Sequence, residues 1–225
     1  CCLHGNELYG LEVAKSFHSS TSFFIGNKLA LSKRIRFVKT DMNRCFPGKV
    51  HGNYEERRAR YLVKELKKYD YVIDLHSSSN YCPLFGIITK PNKKKIDFAK
   101  KLGIKKLVIM PEFFAEGKSL IDFVECGISL EIGPHNRKNN VKDVLERIDH
   151  FMKNKNMSDN IDILEVFQIV KKIYSRVLIK NFEEVKEGQA ISEQRNNKQN
   201  SEFDFIAVLV DEEAYGDVLC LACKR

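Results

Sequence analysis

Short apolar runs alternate with amphipathic segments through the first two thirds of this chain. The apolar runs have the length of strands and span residues 71–76, 84–89, 106–110 and 128–132. The amphipathic segments place their apolar residues on one helical face and span residues 54–68, 93–102 and 141–153. Strands and helices that alternate in this way are typical of a mostly parallel central sheet flanked by helices. The sequence therefore predicts an α/β fold.

The segment before the first long helix is less regular. We expect a helix over residues 8–18, a short strand at 23–25 and a helical turn over 27–32. Residues 36–48 show no clear period, so we expect the irregular backbone that often lines a site. The chain begins with Cys1 rather than Met, and we expect an N-terminus that is truncated or processed.

The pattern changes again towards the C-terminus. Residues 154–160 form a polar linker, and three strand-like runs follow it at 163–167, 174–178 and 205–210. Residues 194–201 read as a polar tip. The sequence thus predicts two domains, which are an α/β domain over residues 1–155 and a small C-terminal β domain over residues 156–225.

Charge, apolar content and cysteine content limit the classes of function that the sequence favours. The net charge of +8 comes from scattered lysines, and the cluster at 93–95 falls on the outer face of a predicted helix. A solvated helix face explains it better than nucleic-acid binding, which is the least favoured alternative. No apolar run approaches the ~20 residues of a membrane span, and there is no export signal. Seven cysteines without a regular framework favour a reducing, cytoplasmic location. Cys220 and Cys223 lie in an apolar run that favours a core role over a metal or redox role.

A first candidate site combines the opening residues with the end of a predicted strand. His4 and Glu7 are three residues apart, with Gly5 between them to allow a tight turn, so both side chains can face one ion. His76 ends the strand at 71–76 and would supply a third ligand. Two nitrogens and one carboxylate are a usual ligand set for catalytic zinc. Asp74 is a candidate hydrogen-bond partner for these ligands. A strand-end histidine held only by hydrogen bonds is the alternative.

Other polar residues occupy positions that suit catalysis. Glu131 is an acid within an apolar strand, where burial raises a carboxyl pKa and a nearby cation lowers it. It is a candidate general base, or alternatively a salt-bridged core carboxylate. On its own, Arg36 reads as an exposed basic residue, and Tyr215 reads equally well as a core tyrosine at the end of a strand.

Four motifs occur in an order that resembles a known family. They are His4-Gly5-Asn6-Glu7, then Asp41-Met42-Asn43-Arg44-Cys45-Phe46-Pro47-Gly48, then Asp74-Leu75-His76, then Leu130-Glu131-Ile132-Gly133-Pro134. This order resembles the succinylglutamate desuccinylase/aspartoacylase family of zinc carboxypeptidase-like hydrolases. The aspartoacylase branch is the most similar, with further likeness at residues 76–80 and 210–215.

The resemblance implies a function and a role for each candidate. It implies one zinc ion per chain, held by His4, Glu7 and His76, and hydrolysis of an N-acyl amino acid, with N-acyl-aspartate the expected substrate. Glu131 would activate the attacking water and then protonate the departing amine, while Arg36 would polarise the scissile carbonyl. The remaining residues would bind the substrate. Asn43 and Arg44 would hold its carboxylate, and Tyr215 would reach the site from the C-terminal domain.

One departure from the family pattern bears on specificity. Aspartoacylases carry an arginine before the Glu131 strand that binds the side-chain carboxylate, and here no arginine lies between Lys106 and Arg137. Lys118 is the basic residue that could replace it. The alternatives within the enzyme class are a succinylglutamate desuccinylase or another N-acyl amino acid deacylase. An inactive or metal-free anion-binding homologue is a further alternative, because of the expected truncation at the N-terminus. A homo-oligomer is left open.

Overall fold

The computed structural model describes residues 1–17, 21–115, 117–135, 141–153 and 160–225. Its helices are α1 (Tyr9–Ser16), α2 (Lys28–Lys33), α3 (Tyr54–Leu66), α4 (Lys93–Lys101), α5 (Glu112–Ala115) and α6 (Val141–Met152). Its strands are β1 (Val72–Ser78), β2 (Phe85–Ile88), β3 (Lys106–Ile109), β4 (Gly127–Pro134), β5 (Asp162–Lys171), β6 (Arg176–Val177), β7 (Glu184–Val185), β8 (Ala190–Gln194), β9 (Asn197–Asn200), β10 (Phe205–Val208) and β11 (Val218–Lys224). The predicted α/β fold is confirmed.

Eight of the described strands form one sheet in the order β1-β4-β2-β3-β5-β11-β10-β7. Among its first five strands, the pairs β1/β4, β2/β3 and β3/β5 are parallel and only β4/β2 is antiparallel. The strands that follow β5 pair antiparallel. The sheet therefore has a mostly parallel half, as predicted, and an antiparallel half built from the C-terminal residues.

Strand β5 joins these two halves. It pairs with β3 on one side and with β11 on the other, so the hydrogen-bonded sheet is continuous from the α/β segment into the C-terminal segment. Strands β6, β8 and β9 form a separate small sheet. The division into domains at residue 155 stays a prediction, and most of the predicted linker lies outside the described residues.

The two faces of the parallel half bury different residues. Leu75 of β1, Ile88 of β2 and Leu130 of β4 belong to one core cluster together with residues of α1, α4 and α6. Side chains alternate between the faces of a strand, so the even-numbered residues of β1 and the odd-numbered residues of β4 face away from these helices. His76 and Glu131 are therefore on the same face, opposite this helical layer.

Helix α3 shows how the sequence specifies these elements. Asn53 and Glu56 form a capping box at its start, in which each side chain accepts a hydrogen bond from the other residue's backbone N–H. Ala59, Leu62 and Leu66 are buried on its apolar face, as predicted.

Two sequence predictions about local structure are wrong. Residues 23–25 are not a strand of the sheet, although their neighbourhood is extended and bonds to the chain start, with Gly26 N–H donating to Cys1 O at 2.8 Å. The predicted polar tip at 194–201 is instead a hairpin, because β8 and β9 pair across a two-residue turn. The side chains of residues 194–200 are mostly exposed, whereas Ile191 and Ser192 of β8 are buried, so the outer part of the hairpin shows no apolar pattern.

Two of the cysteines, Cys220 and Cys223, lie on strand β11. Cys220 and Cys223 are both free and buried, and they lie in different core clusters, so they cannot jointly hold a metal.

Within the described part of the chain, no helix is long and apolar enough to cross a membrane.

Gly5 is required by a close approach rather than by its backbone angles. Its φ lies outside the left-handed region, but a Cβ built on it would lie 2.1 Å from the carbonyl carbon of Ala30 in α2. Asn27 caps this helix by accepting a hydrogen bond from Ala30 N–H at 2.9 Å. The loop that carries His4 and Glu7 therefore rests directly on the backbone of α2.

We expect Gly5→Ala to lower the free energy of unfolding by about 2–3 kcal/mol or more, because backbone atoms must move to admit the methyl group. Urea denaturation of the purified protein measures this. Gly188→Ala is the control, because nothing lies within 4 Å of its Cβ and only its φ of +79° opposes the change. We expect it to cost about 1 kcal/mol. Equal losses in the two variants would show that the contact with α2 is not tight.

Candidate active site

The pairing of β1 with β4 places two of the candidate residues side by side. These strands are parallel, and His76 is the register partner of Glu131. Both side chains lie on the face away from α1, α4 and α6, and both are buried. The predicted ligand and the predicted base thus occupy neighbouring strand ends.

The opening loop brings His4 and Glu7 to the same point. His4 Nδ1 lies 2.7 Å from Glu7 Oε1, and His76 Nδ1 lies 3.2 Å from Glu7 Oε2. One ligand atom from each of the three residues falls within 4.8 Å of the others, and all three residues are buried. The structure brings these three residues together, as predicted from the sequence.

Each of the two imidazoles has a further carboxylate within hydrogen-bond distance of its Nε2 atom, and the two carboxylates are different. His4 Nε2 lies 3.0 Å from Asp41 Oδ1, and His76 Nε2 lies 2.7 Å from Asp74 Oδ2. Both rings therefore direct Nδ1 towards Glu7. Metal-bound histidines are usually oriented by such carboxylates. The sequence predicted this position for Asp74 but not for Asp41, although Asp41 begins one of the four motifs.

The electrostatics of this cluster fit a bound cation. Burial raises the pKa of Glu7, but the facing imidazoles outweigh it and hold the pKa well below its usual range. Burial lowers the pKa of His4 and His76, but the carboxylates around them raise both pKa values overall. Glu7 Oε2 accepts no well-aligned hydrogen bond from the described residues, although it lies 3.2 Å from His76 Nδ1. A buried carboxylate that needs positive charge, beside two imidazole nitrogens, is a donor set that suits zinc.

Arg36 is joined to the cluster through Asp41. Its Nε and Nη2 donate to Asp41 Oδ2 at 3.1 and 2.8 Å, while the other oxygen of Asp41 faces His4. Burial lowers the pKa of Arg36, but Asp41 outweighs it and raises the pKa overall. The guanidinium therefore stays charged in a half-buried position beside the cluster.

Asn43 and Arg44 lie on the 3₁₀ helix Met42–Arg44 and also face the cavity. Asn43 Oδ1 accepts a hydrogen bond from Leu120 N–H at 3.0 Å, so its amide nitrogen is the group left to donate to a ligand. Arg44 Nη1 donates to Asn43 O at 2.8 Å, and its guanidinium lies 5.6 Å from the centroid of the Phe114 ring. Both donors are thus held by neighbouring groups before any ligand binds.

Glu131 is a buried carboxyl on β4, beside its register partner His76 on β1. Burial raises its pKa to about 7, against the opposing effect of His76. A pKa close to neutral pH suits a group that must both accept and release a proton.

Two loops bring the C-terminal segment to this site. Ser79 N–H donates to Glu212 Oε2 at 2.7 Å, and Glu213 N–H donates to Ser79 Oγ at 3.1 Å. This contact carries Tyr215 to the cavity, where its ring meets that of Phe114 at a centroid distance of 5.1 Å. Burial raises the pKa of Tyr215, so the phenol stays protonated and can donate.

Most of these groups line one cavity of about 70 Å³. The candidates that it brings together are His4, Glu7, Arg36, Asn43, Arg44, His76, Glu131 and Tyr215. Lys118 is not among the lining residues and its side chain is exposed, although its neighbour Ser119 does line the cavity. Its role in binding an acidic side chain stays a prediction that the structure does not support.

The cavity also contains residues that the sequence did not single out. Glu212 contributes a buried carboxylate, and it lies in the 210–215 segment that carries part of the family resemblance. Five apolar side chains form much of the remaining wall: Ile87, Met110, Phe114, Ile121 and Leu209. Nothing in their spacing separates them from ordinary core residues.

A family model matches most of the chain. Residues 1–154 match the model of the succinylglutamate desuccinylase/aspartoacylase catalytic domain.

Similar proteins of known name point the same way. A probable aspartoacylase from Trichodesmium erythraeum is 24% identical over 84% of this chain and 74% of its own length. An N-acyl-aromatic-L-amino acid amidohydrolase (carboxylate-forming) from Xenopus tropicalis is 26% identical over 64% of this chain and 56% of its own length. The chain spans about half the length of other relatives, such as 52% of the probable aspartoacylase of Acaryochloris marina.

Solved structures share the fold. Murine aminoacylase 3 matches with a TM-score of 0.81 at 20% identity, over 100% of this chain and 93% of that one. The succinylglutamate desuccinylase of Vibrio cholerae matches with a TM-score of 0.73 at 16% identity, over 100% of this chain and 79% of that one. From the matched family model and the shared fold, this chain belongs to the succinylglutamate desuccinylase/aspartoacylase family.

Proposed function

We propose that this protein is a zinc-dependent hydrolase that removes the acyl group from an N-acyl amino acid. The observation that carries the proposal is the cluster of His4, Glu7 and His76 beside the buried carboxyl of Glu131 in one cavity. The named relatives support the same reaction class, since they include aspartoacylases and an N-acyl amino acid amidohydrolase. The alternative of an inactive anion-binding homologue has less support, because each ligand position of the motif is present and the three side chains converge.

Substrate binding falls to the donors at one end of the site. The amide nitrogen of Asn43 and the guanidinium of Arg44 would hold the α-carboxylate of the substrate, since a guanidinium offers a planar fork that matches a carboxylate. Tyr215 would add a neutral O–H donor. These contacts would orient the scissile amide towards Glu131 and Arg36.

The reaction needs a nucleophile, a stabilised oxyanion and a protonated leaving group. One zinc ion per chain, held by His4, Glu7 and His76, would supply Lewis acidity towards a water molecule and the carbonyl oxygen. Glu131 would take a proton from the water that attacks the amide carbon. Arg36 would donate to the oxygen that gains negative charge, as preorganised donors do in acyl transfer.

Collapse of the tetrahedral species then breaks the C–N bond. Glu131 would return its proton to the departing nitrogen, which leaves as the amine of a free amino acid, while the acyl group leaves as a carboxylate. In the metal-free site burial raises the pKa of this carboxyl above its ordinary range, and a carboxyl with a raised pKa suits both halves of this proton transfer. N-acyl-aspartate is the substrate expected from the family resemblance.

We expect the purified protein to bind about one zinc ion per chain, and His76→Ala to lose it, because two remaining ligands cannot hold the ion tightly. Plasma emission spectrometry after dialysis measures the metal content. His51→Ala is the matched control, because His51 is exposed and distant from the cluster in sequence. Full zinc in His76→Ala would remove this residue from the site.

We expect Glu131→Gln to retain zinc and the folded state but to lose turnover by roughly a hundredfold or more, because an amide cannot accept the proton of water. Release of the free amino acid from an N-acetyl amino acid panel measures this. Glu125→Gln, at an exposed position just before β4, should keep wild-type activity. Turnover of Glu131→Gln within tenfold of wild type would contradict the assignment.

The raised pKa of Glu131 also predicts how stability depends on pH. The folded pKa of about 7 exceeds the ordinary value of 4.5, so the folded protein holds this proton more tightly than the unfolded chain does. The resulting stabilisation is complete below pH 4.5 and is lost as the pH rises through 7.

We therefore expect metal-free Glu131→Gln to exceed metal-free wild type in stability by an amount that grows between these pH values. The difference should be near zero at the acidic end and on the order of 3 kcal/mol above pH 7. Urea denaturation in the presence of a chelator, repeated across this pH range, measures it. Parallel pH profiles for the two proteins would show that the Glu131 carboxyl is well solvated.

A further inference from the structure

Both groups that would hold the substrate α-carboxylate are bordered by apolar side chains. Asn43 Oδ1 is bonded to Leu120 N–H, so the next residue, Ile121, lies directly beside that anchor. The Arg44 guanidinium lies over the ring of Phe114. An amino-acid side chain leaves the same carbon as the α-carboxylate. It would therefore meet these two residues first.

Three more apolar residues continue this surface. Ile87 of β2 is the register partner of Ser129, which lies two residues before Glu131 on the same face of β4. Met110 follows the adjacent β3, and Leu209 precedes the loop that carries Glu212. All three line the cavity and are at least nine-tenths buried. Because neighbouring strands are about 4.8 Å apart, Ile87 lies roughly 10 Å across the sheet from β1 and its metal-ligand position.

The charges of the cavity do not match a second carboxylate on the substrate. Among the described lining residues, the fixed cations are Arg36, which is paired with Asp41, and Arg44, which is needed for the α-carboxylate. Lys95 is the nearby buried cation, but it donates to Thr89 O and does not line the cavity. Glu131 and Glu212 already place two carboxyl groups there. An acidic side chain would lose its hydration without gaining a partner, which is strongly unfavourable.

We propose that the amino-acid side chain of the substrate binds against the wall formed by Ile87, Met110, Phe114, Ile121 and Leu209. The protein then deacylates N-acyl derivatives of neutral, apolar amino acids in preference to N-acyl-aspartate. This inference rests on the proposed function, and it replaces the aspartate preference that the family resemblance implies. Thr89 adds one neutral hydroxyl to the same wall.

The first test compares kcat/KM of the zinc-loaded wild-type protein for four substrates: N-acetyl-L-leucine, N-acetyl-L-phenylalanine, N-acetyl-L-asparagine and N-acetyl-L-aspartate. We expect the leucine derivative to exceed the aspartate derivative by at least about tenfold. Asparagine matches aspartate in shape without its charge, so it should be hydrolysed faster than aspartate.

The outcomes of this test separate the two proposals. Hydrolysis of none of the four would overturn the proposed function. Hydrolysis with aspartate preferred would leave that function standing and overturn the apolar subsite. Calorimetric titration with the free amino acids gives a reading that does not depend on turnover, and L-leucine should bind more tightly than L-aspartate.

A second test asks whether Phe114 forms part of the wall that contacts the substrate side chain. We expect Phe114→Ala to lower kcat/KM for N-acetyl-L-leucine by about tenfold, since it removes apolar contact area. It should lower the value for N-acetyl-L-aspartate by less, so that the ratio between the substrates falls. Phe113→Ala is the matched control on the same helix, because Phe113 is 55% exposed and does not line the cavity. Equal losses on both substrates in Phe114→Ala would overturn the assignment of this wall.

Discussion

The carboxylate of Glu7 is the group on which the site depends. It is buried between the imidazoles of His4 and His76, and positive charge must face it because an isolated buried carboxylate costs several kcal/mol. Satisfying this one group draws the opening loop onto the end of β1. The same loop packs closely on α2 at Gly5, so it is held from two sides.

Much of the fold could be predicted because the sheet is buried on both faces in its parallel half. Strands of that kind are continuous apolar runs, and β1 to β4 all appear where such runs occur. The hairpin of β8 and β9 could not be predicted in the same way. The side chains of residues 194–200 are mostly exposed, so this part of the sequence shows no apolar alternation even though the two strands pair.

The candidate site shows the same division. The candidate ligands and the candidate base could be predicted because polar residues in apolar strands and in a short glycine loop are unusual, and they occur in four motifs in the family's order. These residues are His4, Glu7, His76 and Glu131. The apolar wall could not be predicted, since Ile87, Phe114 and Leu209 come from distant parts of the chain and differ in no way from core residues. Lys118 illustrates the converse case. Its charge suited the predicted role in the cavity, but its exposed position outside the lining residues could be known only from the structure.

Asp41 serves two parts of the site at once. One of its oxygens orients the imidazole of His4, and the other receives the bidentate contact from Arg36. The position of the proposed oxyanion donor, Arg36, is therefore linked through one carboxylate to the position of a proposed metal ligand, His4. If these roles hold, a change that releases either partner of Asp41 would disturb the other, so metal affinity and carbonyl activation would change together through this residue. The proposed apolar wall does not include Asp41 or its two partners, so a change of substrate preference there would leave this link intact.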